Sequence, residues 1–202
     1  FKGALATLQK MATAQPTSPL AHVLIGRVHL MLKNPTAARQ AFAQSLAVDA
    51  SFLPAAGALA DLDIQEKKPA QAREHFKRIL TKSPDNLGAL MGQARTALAL
   101  GDQNEFVAYL KKAIQSHPNA HEPVSQLTLY YINQARQPEL ALDVAQKAAQ
   151  ANSGNPAFLD NLGRAQLSAG RKKDAIDTFT NVTNRQPNSA AGWYSLAWAQ
   201  RV

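Results

Sequence analysis

Every 34 positions the sequence returns to the same arrangement of small, aromatic and proline residues, and that period limits what the chain can fold into. Ala38 and Phe42 are followed at this interval by Ala72 and Phe76, and the pair recurs further along as Ala175 and Phe179; Pro84, Pro118 and Pro187 recur in matching register. Such a period marks a solenoid, in which one unit cannot bury its apolar face alone and needs stacked neighbours to do so. The intervening windows are rich in alanine and leucine and poor in β-branched residues, which favours helices. The expectation is therefore an all-α stack.

Starting each unit after a closing turn gives 19–52, 53–86, 87–120, 121–155 and 156–189, with partial units at 1–18 and 190–202, one array over residues 1–202. In the fifth unit Leu162-Gly163 lies midway along a first helix, Gly170-Arg171 makes a turn, Asp174 to Phe179 opens a second helix, and Pro187 closes it. The first unit matches with Ile25-Gly26, Ala38 and Phe42 but has Ala50 at the closing proline, and the last partial unit carries Trp193 and Leu196. This pattern resembles the tetratricopeptide repeat (TPR). The resemblance implies a right-handed α-solenoid of antiparallel helix pairs.

Each recurring position has a physical job. A small residue such as Gly26 or Gly163 lets the partner helix approach closely. The alanine and phenylalanine of the second helix lie four apart on one face, so one admits a neighbour and the other fills the space beside it. The proline cannot donate a backbone hydrogen bond and stops the helix. Two units depart from the pattern. The third has Phe106 at the alanine position and Leu110 at the aromatic one, which redistributes volume. The fourth is one residue longer, with Gln137-Pro138 in its turn, Ala145 at the aromatic position and Ser153 for the closing proline. Loose packing is expected there, with a bend of the superhelix at Asn152 to Pro156.

Bulk properties narrow the function classes. No run of about 18 apolar residues is present, the length a membrane-spanning helix needs. Phe1 to Met11 read as the second helix of a preceding unit, without a secretory leader, so a piece of a longer array is expected. The absence of cysteine excludes disulfides and thiolate metal sites. The formal charge of +8, from 22 basic and 14 acidic residues, favours an acidic partner through attraction that salt weakens.

The family resemblance places the first helices on the concave face. The ninth residue of each unit then points into the groove: Arg27, Asp61, Arg95, Leu129, Arg164 and Trp198. Arginine suits a binding surface because its planar fork grips carboxylate or phosphate in bidentate fashion. Gly57, Ala58, Met91, Gly92 and Leu98 surround the arginines, and Asn161 lies on the same run of first helices. Arg27, Asp61, Met91, Arg95, Asn161 and Arg164 are thus the candidate groove residues, and an extended peptide or a partner helix is the expected occupant. The alternative is that Asp61 pairs with Arg27 or Arg95 and the set only holds units in register. The resemblance does not extend to the clamp of chaperone-binding TPR modules, because the corresponding positions hold Val23, Arg27, Ala58, Gly88 and Gly92, of which only Arg27 is polar.

A second basic set falls in the turns between paired helices: Lys33, Lys67, Lys68, Arg136, Arg171, Lys172 and Lys173. Lysines at helix ends complement the dipole there; the functional reading is a ridge for an anionic polysaccharide, an acidic protein or lipid headgroups. Nucleic acid ranks lower, since no aromatic residues are interleaved as stacking platforms. Nothing points to catalysis, a metal or a cofactor. His117 and His121 straddle a proline turn, Asp61 and Asp63 point in different directions on a helix, and no phosphate loop, nucleophile elbow or metalloprotease motif occurs. In the final helix Trp193 is expected to pack inward, with Tyr194 and Trp198 exposed and available for self-association.

The expected function is a non-catalytic scaffold that binds an acidic protein or peptide in its groove; direct binding of a polyanion along the ridge, or a self-associating array, are the alternatives. The wording of Asp160 to Gly170 (DNLGRAQLSAG) also resembles the TPR lipoproteins of bacterial PEP-CTERM protein-sorting and exopolysaccharide systems. That narrower resemblance implies a periplasmic or membrane-anchored location in the envelope; without it, the cytoplasm is expected.

Overall fold

The computed structural model describes residues 1–201. Among them are twelve α-helices and no strand: α1 Lys2–Ala14, α2 Leu20–Met31, α3 Pro35–Val48, α4 Leu53–Gln65, α5 Pro69–Lys82, α6 Leu87–Ala99, α7 Gln103–Ser116, α8 His121–Asn133, α9 Pro138–Ala151, α10 Pro156–Ser168, α11 Lys172–Arg185 and α12 Ala190–Arg201. The five complete repeats expected from the period each contain two of these helices. Among the described residues, no helix is long and apolar enough to cross a membrane. The chain divides into two compact units, Phe1–Tyr109 and a second beginning at Leu110, with the division inside α7.

The helix starts are chemically specified. Pro35, Pro69, Pro138 and Pro156 occupy the first position of α3, α5, α9 and α10, where a missing N–H costs nothing and the fixed φ is already helical. Asn34, Asn86 and Asn155 accept backbone N–H bonds from Ala37, Ala89 and Ala157, and Asp102 does the same for Glu105 at the start of α7. The first helices stop in one recurring way. Lys33, Lys67, Gly101, Arg136 and Gly170 all have positive φ, between 52° and 76°. After four of these residues the next N–H returns to the carbonyl five positions back: Asn34 to His29, Lys68 to Asp63, Asp102 to Ala97 and Arg171 to Gln166. This satisfies carbonyls left open at the helix end and turns the chain sharply back.

In the first compact unit, Val23, Ala38, Phe42, Ala55, Leu59 and Leu62 form one buried cluster, and Ala56, Ala60, Ala72, Phe76, Ile79 and Ala89 form the next. In the second, Val124, Ala148, Ala149, Phe158, Leu159 and Val182 pack together, as do Ala175, Phe179, Leu196 and Ala199. The small residues do what the pattern requires. A Cβ on Gly163 would stand 2.5 Å from the Phe179 ring, and Gly26 faces Phe42 as closely. Phe76 packs instead over Gly92, in the first helix of the following repeat.

The irregular repeats pack differently from the pattern. Phe106 and Leu110 are both buried at their exchanged positions. In the fourth repeat the aromatic volume moves to the first helix, where Tyr130 and Tyr131 are buried with ring centroids 5.7 Å apart. α9 still buries Ala141, Leu142, Ala145, Ala148 and Ala149. The loop after it is tied down: the Asn152 side-chain amide donates to the Pro118 carbonyl at 2.9 Å and to that of Ala148 at 3.0 Å. Trp193 corrects an expectation. Its side of α12 does not pack inward but is 49% exposed, the helix burying Gly192, Ser195, Leu196 and Ala199 instead; the indole N–H donates to the Pro187 carbonyl at 2.8 Å.

Candidate protein-binding clefts

Each compact unit holds a cleft built from its first helices. In the first, α2, α4 and α6 present Arg27, Asp61 and Arg95 around a space of about 530 Å³, with Gly57 and Ala58 in its wall and Phe42 beneath. Arg95 Nη1 lies 2.9 Å from Asp61 Oδ1, and both side chains are about half exposed. This is the internal pairing that sequence left as the alternative, and at such exposure it contributes only about 0–1 kcal/mol. Arg27 is exposed, and its guanidinium has no ion-pair partner among the described residues. Charge is therefore compensated at two of the three positions and left over at the third.

The cleft of the second compact unit uses the same repeat positions with other chemistry. Leu129, Arg164 and Trp198 replace Arg27, Asp61 and Arg95 around about 490 Å³, joined by Ile132, Leu167 and Tyr194. Arg164 Nε is held by Asp160 Oδ2 at 2.6 Å, one helical turn back, and the other Asp160 oxygen accepts from Ser195 Oγ at 3.1 Å. Leu129, Tyr194 and Trp198 are exposed. This cleft is aliphatic and aromatic, with a neutralised arginine.

Two of the candidate groove residues lie elsewhere. Asn161 is buried at 3% exposure, where its amide meets His121 Nε2 at 3.0 Å, so it is an internal link between α8 and α10. His121 also packs edge-on against Phe158, with centroids 5.6 Å apart. Met91 is half-buried and does not line the Arg27 cleft. The basic ridge residues Lys33, Lys67, Lys68, Arg136, Arg171, Lys172 and Lys173 are all exposed. Their electrostatics split them into two groups. Lys33, Lys67 and Arg136 follow the ends of first helices, where positive charge is favoured, but Lys68 and Arg171 cap α5 and α11 at their N-termini, and Lys172 and Lys173 open α11. A helix N-terminus disfavours cations, so the expectation that helix dipoles account for these lysines fails for that second group.

The family model of the tetratricopeptide repeat matches residues 1–53, 63–128 and 133–199. The chain belongs to the tetratricopeptide repeat family. It is 25% identical over 132 residues to tetratricopeptide repeat protein 8 of Caenorhabditis elegans, a match covering 64% of this chain but spanning only 26% of that relative's length. Among solved structures it superposes on yeast Tom70 with a TM-score of 0.71 at 15% identity, over 98% of this chain and 42% of that one. It also matches YrrB, described as a TPR protein with an unusual peptide-binding site, with a TM-score of 0.56 at 14% identity, over 96% and 98% of the two chains. TPR proteins are in general non-catalytic scaffolds that bind proteins or peptides.

In the TPR register, one polar feature had gone unseen in the sequence. Asp63, at the eleventh position of its repeat, is 1% exposed and held from two sides: Arg39 Nη1 donates to Oδ1 at 2.7 Å, and His75 Nε2 lies 2.9 Å from Oδ2. Arg39 also reaches Glu66 at 2.9 Å. The Lys68 ammonium and the Arg39 guanidinium hold the Glu66 carboxyl below its ordinary range. Arg39 is itself raised, its bonds to Glu66 and Asp63 outweighing the opposing effect of burial. Arg73, one period after Arg39, also pairs with a carboxylate of the following repeat, Glu105 on α7. In the fifth repeat the equivalents of Asp63 and His75 are Gln166 and Thr178, again hydrogen-bonded, at 2.8 Å. In the second and fifth repeats, positions eleven and twenty-three thus form a polar latch. The twelve-residue spacing is legible in the sequence; the partner Arg39, half-buried and from the preceding repeat, is not.

Proposed function

We propose that this protein is an interaction scaffold that holds an extended segment of another protein in the cleft of its first compact unit, with Arg27 gripping a carboxylate of that segment. The observation that carries this reading is the exposed, unpaired Arg27 guanidinium beside small wall residues, Gly57 and Ala58, which leave room for a peptide backbone. A charge-assisted bidentate bond at that point adds both affinity and orientation. Arg95 and Arg164 have their own carboxylates and serve mainly to shape the walls. The proposed setting, exopolysaccharide assembly or protein sorting in a bacterial envelope, rests on the wording of Asp160 to Gly170.

The test compares three forms of equal helicity in affinity capture from the source organism: the native chain, Arg27→Glu, and the double variant Lys172→Ala/Lys173→Ala. A protein retained by the native and ridge variants and lost by Arg27→Glu supports the cleft, and its identity tests the envelope setting. Retention by Arg27→Glu with loss in the ridge variant overturns the cleft reading. That outcome favours the second reading, a polyanion bound along the ridge, which the unfavourable placement of Lys172 and Lys173 at the start of α11 supports. Alginate binding that falls steeply with added salt would distinguish a polysaccharide from a protein ligand.

A further inference from the structure

The latch positions that are paired in the second and fifth repeats are unpaired in the first one. There the eleventh and twenty-third residues are His29 and Ala41, so the donor supplied elsewhere by His75 or Thr178 is missing. In its place lies a trough of about 340 Å³ between α1, α2 and α3, whose polar lining comes from Gln9, Thr13, His22, His29, Gln40 and Gln44. It shares no lining residue with the Arg27 cleft. No Lys, Arg, Asp or Glu lines it. His22 Nδ1 is buried there without a hydrogen-bond partner, and the side-chain amides of Gln9, Gln40 and Gln44 are exposed and make no hydrogen bond among the described residues. A carboxamide offers a donor and an acceptor side by side, which is what a peptide group presents in return.

Spacing then selects the ligand. Gln40 and Gln44 are one turn apart on α3, so their amides repeat after about 6 Å along the helix. In an extended chain, peptide groups facing the same way repeat every two residues, after about 6.6 Å. We infer that this trough is a second binding site, taking an extended, uncharged stretch of polypeptide whose backbone amides pair with Gln9, Gln40 and Gln44. The lack of charge in the lining disfavours an acidic or basic segment, which would be desolvated there without compensation. A strand so bound is read by its backbone, with little dependence on its sequence.

The site is tested by nuclear magnetic resonance with a capped nonapeptide of alternating serine and valine, and with the same peptide N-methylated at alternate residues to remove its donors. The expected result is movement of the side-chain NH₂ signals of Gln9, Gln40 and Gln44 with the first peptide only. The Gln9 shift should be lost in Gln40→Ala/Gln44→Ala, and all three shifts should be retained in Arg27→Glu, which separates this site from the cleft. Because Gln40 and Gln44 are exposed, the double variant keeps its fold, verified by unchanged backbone signals. No shift at any peptide concentration up to saturation, equal shifts with the N-methylated peptide, or a Gln9 shift that persists unchanged in the double variant would each overturn the inference.

Discussion

At the scale of single residues, the glycines separate into those that hold a close contact and those that do not. Gly163 stands under the fully buried Phe179 ring. A Cβ there would come within 2.5 Å of the ring, so Gly163→Ala should destabilise by about 1–3 kcal/mol, the usual cost of overpacking. Gly57 sits in a helix with nothing within 4 Å of the place a Cβ would take. There Gly57→Ala should gain about 0.5–1 kcal/mol from the reduced freedom of the unfolded chain. Urea unfolding of the two variants checks both signs at once. Phe76→Ala, which empties a buried site beside Gly92, should cost about 3–5 kcal/mol in the same assay. Charge at this scale gives a pH dependence. The Ser51 hydroxyl and then its backbone N–H hold the Asp49 carboxyl below its ordinary 3.8. A depressed folded value means that this contribution is complete above the unfolded value and is lost as pH falls through the folded one. Ser51→Ala should therefore weaken the protein at neutral pH and leave it unchanged at strongly acidic pH, as acid titration of the unfolding midpoint would reveal.

The first helices of the five complete repeats end where they do because of one backbone conformation, repeated five times and filled by two kinds of residue. Gly101 and Gly170 adopt positive φ without a Cβ penalty, whereas Lys33, Lys67 and Arg136 bear it. Lys67→Gly should thus stabilise by up to about 1 kcal/mol, and Gly170→Ala should destabilise by about 1–2 kcal/mol, as measured by thermal and urea unfolding. The helices themselves were legible in the sequence, since proline and asparagine mark their starts and the 34-residue period fixes their number. The conformation of the turns was legible only at Gly170, because a lysine at a turn reads first as a charge. Asn161 misled for a related reason. On a first helix it falls close to the groove stripe in sequence, yet its place on the helix turns it inward to His121. Trp193 misled in the opposite sense: α12 turns its glycine, serine, leucine and alanine inward and leaves the indole half outside.

Across the whole molecule, the basic excess is shared, with twelve basic and eight acidic residues in the first compact unit and ten and six in the second. Stabilising contacts are local as well. In each unit the helices touch their own partner and the next pair, as in α2 with α3, α3 with α4, and α10 with α9, α11 and α12. In such an array, stability is approximately a sum of repeat terms and nearest-neighbour terms, so damage stays near where it is made. This makes a comparison of two buried rings informative. Phe42 belongs to the cluster joining α2, α3 and α4, and Phe179 to the one joining α10, α11 and α12. Phe42→Ala should speed amide hydrogen exchange in α2 to α4 while leaving α10 to α12 near native protection, and Phe179→Ala should do the reverse. Equal acceleration in both regions by either variant would mean that the chain opens as a single cooperative body. The outcome also bears on binding. If opening is local, a partner held in the Arg27 cleft should slow exchange in α2 and α4 and leave α10 to α12 unchanged, so its site can be mapped by exchange before its identity is known.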